Sequence, residues 1–201
     1  MLRQRRCVLY RGVLRDARFF ELLLKIDKEY RERVRRGRCP HCGGPLHAAH
    51  FCRKPRGLVL GPAQLPEGYE VRFDLCCGWC RKRVLPRSVR FLGRKVFVGV
   101  AVAVATVVVR GRNRDAVALL RRELGISWHT LRRWCRWWQT LTGTAFWQRV
   151  RGALPADLDL DELPKSLLDH FHGDASKRLE RLLRLLSPLS RGFPGTLTKG
   201  A

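Results

Sequence analysis

Acidic residues are scarce in this chain. Only 17 Asp and Glu stand against 41 Lys and Arg, giving a formal net charge of +24. A chain so unbalanced repels itself unless a polyanion is near, so nucleic acid is the expected partner; a small acidic metabolite would not require so much charge. Cysteine is sparse, with 8 in 201 residues, too few for a dense disulfide scaffold. The opening MLRQRRCVLYRGVLRDARFF lacks the clean apolar stretch of a secretory signal. A cytoplasmic, nucleoid-associated protein with metal-bound thiolates is the expectation. Long hydrophobic runs are missing too. Residues 96–109 (VFVGVAVAVATVVV) carry no charge, but the run has 14 residues and cations at both ends. A membrane-spanning helix needs roughly 17–25, so no membrane partner is expected, and the run is read as a buried helix. Internal repeats are absent. Hydrophobic residues still make up 45%, enough for a real core.

The positive charge stops abruptly. Residues 1–95 carry a net +16, residues 96–152 a net +8, and residues 153–201 none. A nucleic-acid face followed by a neutral packing or partner segment accounts for such a step. The expected class is mainly α with a small β zinc ribbon, and a helix-turn-helix bundle after the ribbon. The expected division is a basic N-terminal helix over 1–38, the ribbon over 39–94, a helix-turn-helix domain over 95–152, and neutral helices with a loose tail over 153–201. In the first segment Phe19, Leu22, Leu23, Ile26 and Tyr30 follow the helical period. In the last, Leu179, Leu182, Leu183 and Leu186 share one helix face, and the chain from Pro188 onward is expected to be loose.

Two short motifs carry the chemistry. Cys39-Pro40-His41-Cys42-Gly43-Gly44 and Cys76-Cys77-Gly78-Trp79-Cys80 each contain two cysteines separated by two residues. Such a pair turns both thiolates onto one metal, and a following glycine relaxes the backbone. Cys39, Cys42, Cys77 and Cys80 together form a closed, structural Zn²⁺ site with no open catalytic position. Cys76 is an alternative to Cys77, and His47, His50 or Cys52 in the insert could displace a ligand. Arg53, Lys54 and Arg56 lie in that insert, and Arg81, Lys82, Arg83, Arg87 and Arg90 follow the second pair. Cations on the loops of a rigid ribbon grip phosphates.

The second motif runs from Val117 to Arg136. Leu120, Leu124, Ile126, Leu131 and Trp134 occupy the interior positions of a helix-turn-helix. Gly125 suits the left-handed end of the first helix, and Ser127 caps the second. Trp128, His129, Arg132, Arg133 and Arg136 then face outward, where Arg can reach guanine edges in the major groove of duplex DNA. Arg121 stands where a small residue usually lets the helices cross. Most of the aromatics at Trp134, Trp137, Trp138, Phe146 and Trp147 are read as core.

A cysteine-knuckle unit followed by these helices resembles the DNA-binding front portion of bacterial insertion-sequence transposases and their accessory proteins. The stretch from Cys39 through Ser88-Val89-Arg90-Phe91-Leu92-Gly93-Arg94 is also similar to an uncharacterised bacterial family met near mobile elements. The resemblance covers about residues 35–140. It implies Cys39, Cys42, Cys77 and Cys80 as metal ligands and Ser127–Trp138 as the DNA reader. A transposase also needs a nuclease domain with three spaced acids that hold Mg²⁺. Here Asp157, Asp159, Asp161 and Glu162 crowd one short turn, better explained by capping and solvation, and His170 and His172 point apart on a helix. The expectation is a DNA-binding protein of a mobile element that is not an enzyme. Its further partners would be a transposase or a second copy met through the C-terminal helices. The alternative is an RNA-binding or ribosome-associated zinc-ribbon protein.

Overall fold

The computed structural model describes residues 10, 12–52, 65–92, 97–110 and 114–191. The protein is mainly helical with small antiparallel sheets. Helix α1 (Ala17–Arg36) leads directly into the cysteine-bearing unit, whose strands are β1 (Leu46–Ala48), β2 (Phe51–Cys52), β3 (Val71–Arg72), β4 (Leu75–Cys77) and β5 (Arg83–Val84). β6 (Phe91–Leu92) and β7 (Phe97–Val98) follow, then α2 (Gly99–Arg110), α3 (Arg114–Leu124), α4 (Trp128–Leu141), α5 (Ala145–Arg151), α6 (Lys165–His170) and α7 (Ala175–Leu186). A 3₁₀ turn closes the series at Ser187–Arg191. One sheet has the order β1-β4-β5, while β2-β3 and β6-β7 are separate antiparallel pairs.

Helix α2 is the centre of the molecule. It is apolar on every face, and residues 98–108 are buried throughout, as a helix without a polar side requires. Its lone hydroxyl, Thr106 Oγ1, is satisfied by donating to the Val102 carbonyl at 2.8 Å. Helices α3, α4 and α7 all pack on it. The approach is close at Gly99, where a Cβ would lie 3.0 Å from Leu183 Cδ2 and 3.3 Å from the Val89 carbonyl. No helix among the described residues is long and apolar enough to cross a membrane.

Helix α1 buries Phe19, Phe20, Leu23, Leu24 and Ile26, with Leu22 and Tyr30 half-buried. The same face buries an acid, Asp27, which its polarity would have placed in solvent. Arg90 meets it: Nε donates to Asp27 Oδ2 at 2.8 Å, and both side chains are fully buried. The Val89 N–H and the Ser88 hydroxyl also donate to this carboxylate. The Arg90 guanidinium donates to the carbonyls of Tyr69 and Val71 as well, and lies over the rings of Tyr69, Phe73 and Phe91. Every charge is thus answered, which is the condition for tolerating a buried ion pair. The pair ties α1, before the cysteine unit, to the Ser88–Arg90 segment after it.

Two expectations are corrected here. Arg90 is not a loop cation free to grip phosphate, because it is consumed by Asp27 and the carbonyls around it. The chain does not loosen at Pro188 either: Ser187–Arg191 form the 3₁₀ turn, which packs on β6 and α7. There Leu189 is buried, and Ser190 Oγ accepts from the Ser88 N–H at 2.8 Å. Buried Arg72 donates to the Pro86 carbonyl at 2.7 Å beside this turn.

Candidate metal centre and nucleic-acid interface

The four sulfurs of Cys39, Cys42, Cys77 and Cys80 lie within 4.8 Å of one another and could hold a metal ion. The Cys39 and Cys80 sulfurs are 3.7 Å apart, and those of Cys42 and Cys77 are 3.4 Å apart. Two near-identical backbone loops bring them together. In the first, Cys39 N–H donates to the Gly44 carbonyl at 2.9 Å and Gly43 N–H to the Cys39 carbonyl at 2.8 Å. In the second, Cys77 N–H donates to the Lys82 carbonyl at 3.0 Å and Arg81 N–H to the Cys77 carbonyl at 3.2 Å. The residue after the second cysteine is left-handed in both: Gly43 at φ 71° and Arg81 at φ 60°. Glycine takes that conformation freely, whereas arginine is strained there. The strand register Leu46↔Cys77 holds the loops side by side.

The same register settles which cysteine belongs. Cys76 faces the other side of β4, opposite His47 and Arg83, and its thiol donates to the Arg81 carbonyl at 3.4 Å. Among the described residues Cys52, Cys76, His47 and His50 are outside the cluster. His50 instead sits 3.2 Å from Arg31 Nη1 and 3.1 Å from the Asp74 carbonyl.

The thiols titrate unequally. Burial pushes Cys77 up, but the backbone N–H groups of Cys80 and Trp79 and the neighbouring thiols outweigh it and bring Cys77 down to about 6. The Lys82 N–H favours the Cys80 thiolate, yet burial and the sulfurs of Cys42, Cys77 and Cys39 push Cys80 up to about 12. One thiolate forms readily and then opposes the next, because like charges this close disfavour each other. A cation in the middle of the set would favour its full ionisation.

Arg81 offers a direct test of backbone strain. Replacing it by glycine should raise the denaturant midpoint of the metal-loaded protein. The gain is about 0.5–1 kcal/mol, the relief of left-handed strain less the extra unfolded-state freedom of glycine. An unchanged or lower midpoint would show that the Arg81 side chain stabilises the loop.

The second cluster lies on α3 and α4. Gly125 is left-handed at φ 59°, and Ser127 Oγ accepts from the Thr130 N–H at 3.2 Å as the N-cap of α4. Leu120, Leu124, Leu131 and Trp134 are buried and Ile126 is half-buried. Trp128, His129, Arg132, Arg133 and Arg136 are all exposed. Arg121 does not obstruct the crossing; its guanidinium lies over the Trp128 ring at 5.7 Å, and that of Arg132 lies over the same ring at 5.5 Å. The indole is therefore a platform that arrays two cations at the start of α4. The core aromatics are as expected, with Trp134, Trp138, Phe146 and Trp147 buried.

Of the loop cations, Arg81, Lys82 and Arg87 are exposed. Arg83 is exposed too, but its guanidinium pairs with Asp74 at 2.8 Å. Arg53, Lys54 and Arg56 lie outside the described residues. The acidic turn is self-contained: the Asp159 carboxylate accepts the N–H groups of Asp161 and Glu162, and Glu162 pairs with Lys165. Among the described residues these acids form no metal-holding group with His170 or His172. Comparison of the chain with family models, curated proteins and solved structures yields no match.

Proposed function

We propose that the protein binds duplex DNA, with α4 lying in the major groove and the cysteine unit, closed by Zn²⁺ as a zinc ribbon, bracing it against the phosphates. The observation that carries this reading is the face of α4. Three exposed arginines, Arg132, Arg133 and Arg136, stand with His129 on one side of a helix whose opposite side is locked into the core. A rigid helix with forked donors on its exposed face suits base-edge readout. Trp128 supports it by holding Arg132 in place, since a guanidinium already ordered loses less freedom on contact. Zinc is favoured by chemistry and spacing. Four thiolates select a soft, tetrahedral ion, and zinc–sulfur bonds of about 2.3 Å put the sulfurs about 3.8 Å apart. The ion would be structural, with all four positions filled by protein. The charge step and the two-part organisation fit a DNA-binding accessory of a mobile element acting without catalysis of its own.

Titration of a preferred duplex and of random duplexes at several salt concentrations tests this. Arg132→Ala or Arg133→Ala should cost about 1–3 kcal/mol on the preferred site and relax one base position. Arg81→Ala or Arg87→Ala should weaken every duplex alike and reduce the salt slope by about one unit. If the helix variants behave like the loop variants, α4 does not read bases. If single-stranded RNA is bound better than duplex DNA throughout, the RNA reading replaces this one.

A further inference from the structure

The tip of the second cysteine loop carries a side chain that neither the core nor the sulfur cluster uses. Trp79 is 67% exposed, more than any other large hydrophobic side chain among the described residues. Its position is nonetheless defined. A Cβ on Gly44 would sit 2.8 Å from the indole Cδ2 and 3.0 Å from Cε3, so one edge of the ring is seated on the bare backbone of the first loop. The remainder faces solvent.

The charge around this indole is of one sign. Arg81 and Lys82 follow it in the same loop, and Arg38 directly precedes the first; all three are exposed. Arg38 and Arg81 both hold left-handed backbone, at φ 59° and 60°. Arginine is strained there, and strain of this kind collects at functional sites. The sequence has no acid between Glu32 and Glu67 or between Asp74 and Asp115, and Asp74 is buried and paired with Arg83. Cations near a tetrathiolate centre would offset its negative charge, but that does not explain an indole held out in water. A flat apolar face ringed by cations matches a ligand with an aromatic ring and a negative backbone. Inside a duplex the base faces are covered by their neighbours, so the ligand must be unpaired.

We propose that this tip is a second nucleic-acid site, where Trp79 stacks on an unpaired base while Arg38, Arg81 and Lys82 hold the adjoining phosphates. The site goes beyond the duplex contact of α4, and either can fail without the other.

The test titrates full-length, metal-loaded protein with four ligands: a short oligothymidylate, an oligouridylate, an abasic strand of the same length, and a blunt duplex. Wild type should bind at least one base-bearing strand about tenfold more tightly than the abasic strand, which has the same phosphates and nothing to stack on. Trp79→Ala should lose that tenfold while leaving abasic and duplex binding unchanged, and Trp79→Phe should keep most of it. Preference for thymidylate, uridylate or both over the abasic strand supports the site and identifies single-stranded DNA, RNA or either as its source. Equal wild-type affinity for base-bearing and abasic strands overturns it, whatever the alanine variant does to folding. So does a metal-loaded Trp79→Ala that keeps the preference. Loss of duplex binding by Trp79→Ala would also count against it, whereas failure of wild type to bind the duplex would count against the α4 reading and leave this site standing.

Discussion

Stripping the metal under reducing conditions should unfold the cysteine unit while the helical core survives. Among the described residues the unit's own apolar cluster is Cys39, Leu46, Leu75 and Cys77, with Val34, Cys80 and Val84 against it. So small a core cannot outweigh the entropy of ordering the loops around it. Structural zinc sites bind with free energies on the order of 10 kcal/mol, comparable to the whole stability of an ordinary domain. Metal analysis should show about one zinc per chain, and Cys42→Ser should lower that occupancy. After chelation, amide exchange should become fast across β1, β4 and β5 and stay slow in α2, whose residues belong to the separate main cluster. A metal-free protein with the cysteine unit still protected would sink this account of the centre.

The second large effect lies away from any nucleic acid. Asp27→Ala should destabilise the protein by about 3–5 kcal/mol in a denaturant titration, because Arg90 is left charged and buried with no carboxylate. The Ser88 hydroxyl and the Val89 N–H would lose their acceptor in the same stroke. Replacing both partners by apolar residues, as in Asp27→Leu with Arg90→Met, should recover part of the loss, since no unpaired charge stays buried, while the Ser88 and Val89 donors and the Tyr69 and Val71 carbonyls still lack their partners. The Arg83–Asp74 pair is a useful contrast. Its arginine side chain is 65% exposed, so Arg83→Ala should cost no more than about 1 kcal/mol. Equal losses at the two sites would mean that the buried pair is not the fixed point it looks to be.

That ion pair also shows where sequence reading stops. Asp27 and Arg90 are 63 residues apart, and nothing local marks either as buried. Asp27 lies in a basic helix, and Arg90 among six cations between Arg81 and Arg94. Hydrophobic period identifies which face of α1 is inward, but only tertiary contact shows that a charge on that face has a partner. Ser187–Arg191 was hidden for the same reason: its proline and serines read as a loose end until Ser190 is seen to accept from Ser88. Local signals fared better. Gly125 and Ser127 state the turn between α3 and α4 in the chemistry of a left-handed stop and an N-cap. The paired cysteine spacing states the four-sulfur cluster that could hold a metal, down to the choice of Cys77 over Cys76 once the alternation of β4 is known. The fully apolar run states the central helix. Arg81 is intermediate, because its left-handed backbone follows from the likeness of the two loops, yet the sequence places a glycine in only one of them.

Base reading by α4 is the property on which the proposed function rests. The most direct measurement is selection of bound sequences from a pool of random duplexes, run in parallel with wild type and with an Arg132→Ala, Arg133→Ala double variant. Wild type should enrich a defined motif containing guanines, and the double variant, still folded and metal-loaded, a shorter or degenerate one. No enrichment by wild type, or the same motif from both proteins, would contradict it.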